Sequence, residues 1–231
     1  MFRCTEQAAV ICKDMKRMDD AKSFMETAAR LYAETGTPDT SAMALDKAAK
    51  FLEPIDPAKA LEIYQKALSI VEDHSDKTRM IAEFMSRISK IHLKLEQYDQ
   101  AAASIGREVD TYVAVQEAPK VGKLTTGLVL VHLIRGDSIA AQKSYQRAFA
   151  ATNFATTEDA QILPALIDSF EKNDGERFQR FVNHPHMKSL DNEYARLIKK
   201  IKLDESGSAG GQGSSGAATS QDDGEEEEGL L

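Results

Sequence analysis

Tryptophan is missing from this 231-residue chain, and aromatic residues of every kind make up only 6% of it. Ala, Leu, Lys and Glu abound instead, a mix that favours helices packed through small side chains over a sheet. Cysteine is scarce as well. Cys4 and Cys12 are too few for a disulfide framework, lack CxxC spacing and read as inert packing thiols. No secretory apolar segment opens the sequence, which points to a reducing, cytoplasmic setting. Uninterrupted apolar stretches such as 8–12 and 128–131 fall far short of the ~20 residues that span a bilayer. A soluble protein with at most peripheral membrane contact is expected.

Basic residues are absent from one region altogether. Of 37 acidic residues, eight lie from Asp204 onward with no Lys or Arg among them. The remaining 29 acids match the 29 Lys and Arg of the body, so the tail holds the whole excess of −8. A neutral body has no broadly basic footprint for nucleic acid.

What is present is a repeat. AKSFMETA, ALEIYQKA, AASIGREV and AQKSYQRA begin at Ala21, Ala60, Ala102 and Ala141, at intervals of 39, 42 and 39 residues. Each carries a small or branched residue seven positions on, at Ala28, Ala67, Val109 and Ala148. Partner helices are predicted at 41–52, 77–95 and 121–135, with Ala48, Ile88 and Leu130 in phase, as are Phe51, Ile91 and Leu133. A two-helix unit of about 40 residues lies close to the helical-solenoid range. One such hairpin cannot bury its apolar face alone, so stacking supplies the core.

The expected fold is therefore all-α: a right-handed, tetratricopeptide-like solenoid of helical hairpins over 1–150. A carboxy-terminal helical cap over 151–203 follows, where EDAQILPALIDSFEKND, GERFQRFVNHPHM and LDNEYARLIKKIKL read as helices. The Gly/Ser-rich and then acidic segment 204–231 has nothing to bury and is expected to be disordered. In ETGTPDTSAMAL, Gly36 suits a left-handed helix end, Thr37 an N-cap and Pro38 the first helical position. That makes the stretch a solenoid corner rather than a phosphate-cradling loop.

Chemistry-bearing patterns mostly fail their own tests. Gly122-Lys123-Leu124-Thr125 mimics a phosphate loop, but Glu117 and Leu124 stand where that motif needs Gly and Ser or Thr. His184-Pro185-His186 has no third ligand at zinc spacing and reads as a Pro-enforced turn. His92 and His132 fall on apolar faces as core residues, and no nucleophile–base pair is apparent. No catalytic residue, cofactor or metal is expected, and the chain does not read as an enzyme. One stripe stands out: Arg87, Lys90 and Lys94 share a helix face, while another face holds Ile81, Phe84, Ile88, Ile91 and Leu95. It is either a solvated outer face or a basic ridge gripping an acidic partner helix. The acidic tail, ending Gly229-Leu230-Leu231, is either a solubilising segment or an arm with an apolar tip.

Several stretches carry a resemblance: LYAETGTPDTSAMALDKAAKFLEPIDPAKALEIYQKA, LEQYDQAAASI, VLVHLIRGDSIAA and LDNEYARL. In this order, over about Thr5 to Lys202, the chain resembles the soluble NSF attachment protein (SNAP) family, in particular its gamma branch. The resemblance implies a twisted helical solenoid with a carboxy-terminal bundle, acting as an adaptor in vesicle-mediated fusion and intracellular, ER–Golgi-type transport. Such an adaptor binds syntaxin-type SNARE helical bundles and recruits the hexameric ATPase NSF to pull them apart. By the same resemblance Arg87, Lys90 and Lys94 are the SNARE-binding candidates. Asp191, Glu193, Leu230 and Leu231 are the ATPase-contacting ones. Compared with the family pattern the chain starts inside the array, as a fragment, an alternative product or an incomplete gene model would. The apolar membrane-touching loop of the alpha forms is therefore not matched. A general helical-repeat scaffold with non-SNARE partners is the competing expectation.

Overall fold

The computed structural model describes residues 2–74, 77–151, 153–201 and 203. The tail expected to be disordered, with Leu230 and Leu231, lies outside them. Among the described residues twelve α-helices and no strand occur. In chain order they are α1 (Phe2–Asp14), α2 (Met18–Glu34), α3 (Pro38–Leu52), α4 (Pro57–His74), α5 (Thr78–Lys94) and α6 (Tyr98–Ala114). Then come α7 (Ala118–Ile134), α8 (Ser138–Ala151), α9 (Glu158–Glu171), α10 (Gly175–Val182), α11 (Pro185–Lys188) and α12 (Asn192–Lys200). Each of α1 to α8 packs against its chain neighbours, as a solenoid of helical hairpins requires.

Among the described residues one corner is used six times. Lys16, Gly36, Glu96, Gln116, Gly136 and Asn173 all have φ between 53° and 74°. After each, the next amide reaches back over the helix end: Arg17 N–H to Cys12 O (2.8 Å), Thr37 to Tyr32 (3.0 Å), Gln97 to His92 (2.9 Å). Glu117 to Tyr112 (3.1 Å), Asp137 to His132 (2.9 Å) and Asp174 to Ser169 (2.9 Å) complete the set. These bonds satisfy carbonyls that a helix end otherwise leaves unpaired. Gly36 takes the expected place, and Thr37 is the residue before α3. Its side chain, however, does not cap α3; Thr37 Oγ1 donates to Tyr32 O (2.9 Å) and closes α2 instead. At the α3–α4 corner the side-chain cap does form, with Asp56 Oδ1 accepting from Lys59 N–H (3.0 Å).

The alanine register needs one correction. Four residues after the residue preceding each of α2, α4, α6 and α8 stand Ala21, Ala60, Ala101 and Ala141, all fully buried. Their amides bond back to Arg17, Asp56, Gln97 and Asp137 at 2.9–3.1 Å. Ala101, not the partly exposed Ala102, is therefore the repeat position, and the intervals become 39, 41 and 40 residues. Two adjacent alanines look alike in sequence; only the capping geometry separates them.

Apolar packing forms two clusters that meet in α5. One gathers side chains from Ala9 to Ile91, the other from Leu93 to Ile201. Helices α9 to α12 thus share a core with α6 to α8, and apolar packing continues across position 150. Helix α12 doubles back onto α7 and α5. Gly127 makes that approach possible, because a Cβ there would stand 2.3 Å from the Tyr194 ring. The array and its end helices therefore share one face along α5. Cys12 is buried as a packing thiol should be, whereas Cys4 is exposed.

Candidate partner-binding face

Helix α5 has the sharpest division of faces in the array. Phe84, Ile88 and Ile91 are buried, with Ile81 and Leu95 partly so. The flanking stripe carries Arg87, Lys90 and Lys94, spaced three and four residues apart so that they share one side.

None of the three is left unopposed. Arg87 Nε lies 3.1 Å from Asp46 Oδ1 of α3, and its guanidinium sits 5.8 Å from the Tyr64 ring centroid. Lys90 Nζ lies 2.6 Å from Asp191 Oδ2, the residue preceding α12. Lys94 pairs with Glu53, which follows α3. The stripe is thus neither a bare ridge nor a plain solvated face. It is a row of cations, each holding a carboxylate from a helix distant in sequence. Each of the three cations keeps about a third of its side chain exposed to water, so each pair contributes only about 0–1 kcal/mol.

The face is open along its length. A cavity of about 270 Å³ lies over Glu53, Glu83, Ser86, Arg87 and Lys90. Next to it, sharing Ser86 and Lys90, a second of about 270 Å³ runs in between α5, α6, α7 and α12. Further along, Glu193 and Arg196 of α12 line a smaller cleft of about 100 Å³ with Lys94. Of the two sequence-predicted groups, the members Asp191 and Glu193 therefore lie beside the cationic stripe, while Leu230 and Leu231 fall outside the described residues. Lys90 meets Asp191, and Lys94 shares a cleft with Glu193.

Sequence reasoning missed Glu108, which lines the second cavity. It is only 3% exposed, and its Oε2 has no hydrogen-bond partner. Burial, offset in part by Lys90, Ser86 and Lys120 and reinforced by Asp191, pushes its carboxyl from 4.5 up to about 7. The signal that would have found it is the alanine register. Seven residues after Ala21, Ala60, Ala101 and Ala141 come Ala28, Ala67, Glu108 and Ala148. Starting the third repeat at Ala102 put Val109 there and hid the exception.

The histidines behave as structural groups. His92 is buried and its Nδ1 meets Gln97 Oε1 at 2.7 Å. Burial first, then Arg135, lowers the His132 pKa. His184 does not share a ligand with His186: its Nδ1 accepts from the His186 amide (3.3 Å) at the start of α11. The His186 ring instead bridges Glu158 and buried Asp159, both at 2.8 Å. Thr126 Oγ1 also donates to Asp159 (2.6 Å), so α7, α9 and α11 are stitched at one carboxylate. Among the described residues no helix is long and apolar enough to cross a membrane.

The family model described as "Soluble NSF attachment protein, SNAP" matches residues 9–204. A gamma-soluble NSF attachment protein of Dictyostelium discoideum is 21% identical over 198 residues, which cover 86% of this chain and 61% of the relative. One of Arabidopsis thaliana is 23% identical over 199 residues, covering 85% and 67%. The chain thus spans about two thirds of the length of these relatives or less.

Proposed function

Because this chain belongs to the soluble NSF attachment protein family, we propose that it is an adaptor between an acidic bundle of SNARE helices and the NSF ATPase. One observation carries the reading: α5 presents Arg87, Lys90 and Lys94 in a row on an open face already occupied by carboxylates of the chain itself. Such a face recognises carboxylates at a helical spacing, which is the chemistry of an acidic helix. Each internal pair is weak, so exchange for an external carboxylate costs little while the summed field steers the partner in. The face runs into α12, where Asp191 and Glu193 supply acids for an ATPase contact. Leu230 and Leu231 would extend that contact from the tail. The adaptor acts by docking rather than by bond chemistry, at membranes of the secretory and endosomal pathway without spanning them.

The test is ATP-dependent disassembly of a purified SNARE complex by NSF, with and without this chain. The proposal expects faster disassembly, lost when Arg87, Lys90 and Lys94 are all changed to Gln. No stimulation, together with no binding of the complex, would overturn it. Reproducible capture of other acidic helical partners would then favour a general scaffold.

A further inference from the structure

Three of the four repeats place alanine at one buried position, at Ala28, Ala67 and Ala148, each at most 1% exposed. Alanine there lets neighbouring helices approach closely. The third repeat has Glu108, almost as deeply buried. A glutamate cannot be accommodated at alanine spacing, and the cavity between α5, α6, α7 and α12 opens at this repeat. Lys90 and Asp191 stand on its rim, with Lys120 and Lys123 on the α7 side. A buried carboxylate oxygen without a hydrogen-bond partner is costly. Its largest compensation is the charge of Lys90, which lowers the cost of ionising Glu108 more than any other group does.

Asp191 is anomalous in a second way. It precedes α12 at the position where an aspartate side chain ordinarily accepts from the helix's own first amides. Asp191 makes no such bond, because its carboxylate reaches away to Lys90. By contrast Asp174, at the equivalent place before α10, accepts from Arg177 N–H at 2.9 Å. Asp191 thus has two partners to choose between, Lys90 and the amino terminus of its own helix, and holds the first at the expense of the second. Both states satisfy the carboxylate, which is what a two-state element requires.

We propose that Lys90 is a carboxylate-exchange site. Asp191 occupies, from within the chain, the place that an aspartate or glutamate of an acidic partner helix takes, and the displaced Asp191 then caps α12. This rests on the reading of α5 as the partner-binding face and adds its regulation. Binding on α5 and the state of α12 become linked, and by reciprocity whatever captures Asp191 from the α12 side strengthens binding on α5.

The test is a double-mutant cycle on the full chain, read with two probes: a purified soluble SNARE four-helix bundle and a poly-glutamate peptide. Asp191→Asn removes the internal competitor yet keeps a good helix cap. It should bind both probes about two- to fivefold more tightly, the scale of a half-exposed ion pair. Lys90→Gln should weaken binding, and Asp191→Asn should have no further effect in the Lys90→Gln background. Equal or weaker binding by Asp191→Asn, or the same gain without Lys90, would overturn the exchange. Failure of wild type and Asp191→Asn to bind either probe overturns it as well. Tighter poly-glutamate binding through Lys90 alone, with the SNARE bundle ignored, supports the exchange while removing the SNARE reading.

Discussion

The amino-terminal array and the carboxy-terminal end are built from the same helices but held by different means. From α1 to α4 the interior is largely alanine and aliphatic side chains, with Ser41 its one buried polar residue among those described. From α6 onward the interior contains Glu108, Thr125, Thr126, Asp159 and Ser169. The regular part needs only close approach, and repeated corners deliver it. In the irregular part Tyr194 and Leu197 of α12 pack into the shared apolar core, Thr126 and His186 meet on buried Asp159, and the exposed pairs Lys200–Glu96 and Lys90–Asp191 mark where the end helices cross the array. Repetition makes a face; departures from repetition give it cavities and ion pairs between distant helices.

The sharpest way to break this contrast is at Asp159. Asp159→Ala leaves the Thr126 hydroxyl and the His186 ring without their buried acceptor, and the expected loss is about 3 kcal/mol in urea unfolding. A loss under about 1 kcal/mol would mean that apolar packing alone holds the end helices.

Glu108 should make the two regions respond differently to pH. Its folded carboxyl titrates near 7 instead of 4.5, so the folded chain holds this proton more tightly than the unfolded chain does. The stability tied to it is full below about pH 4.5, declines as pH rises toward 7, and is gone above, on the order of 3 kcal/mol over that interval. Glu108→Gln should remove this slope. The difference between wild type and variant, measured by urea unfolding at pH 5 and pH 8, should move in the variant's favour at the higher pH. A difference independent of pH would contradict the burial argument.

Gly127→Ala tests the α7–α12 approach. The new methyl group meets the Tyr194 ring, which is itself buried, so α12 must shift. A loss of about 2 kcal/mol is expected, with faster amide exchange confined to α12 and its neighbours. The smallest effect is in the regular part. Thr37→Ala removes the bond to Tyr32 O and should cost about 0.5–1 kcal/mol in thermal unfolding. The size matches what a helix cap would give, but the helix that loses the bond is α2. Hydrogen exchange at the end of α2, rather than at the start of α3, should report it.

Much of the fold was legible because alanine and leucine phase sets helix register locally, and Gly36 and Gly136 mark two corners outright. Lys16, Glu96 and Gln116 adopt the same left-handed backbone without announcing it, since the corner's hydrogen bonds override residue preference there. The candidate site was legible only in half. Arg87, Lys90 and Lys94 share a face by spacing alone. Their partners Asp46, Glu53 and Asp191 come from α3, its end and the start of α12, and no local pattern brings them together. Glu108 was readable in principle, as the exception in a repeat, once the register was set by capping.

The central claim is that the α5 face binds an acidic helical partner through its row of cations. Its most direct test is the affinity of the chain for a purified SNARE bundle, compared between wild type and Arg87→Gln/Lys94→Gln at two salt concentrations. The account expects wild-type binding that weakens with salt, and a roughly tenfold or greater loss in the variant with its helical content unchanged. Equal affinity of the two proteins, or binding indifferent to salt, would contradict it.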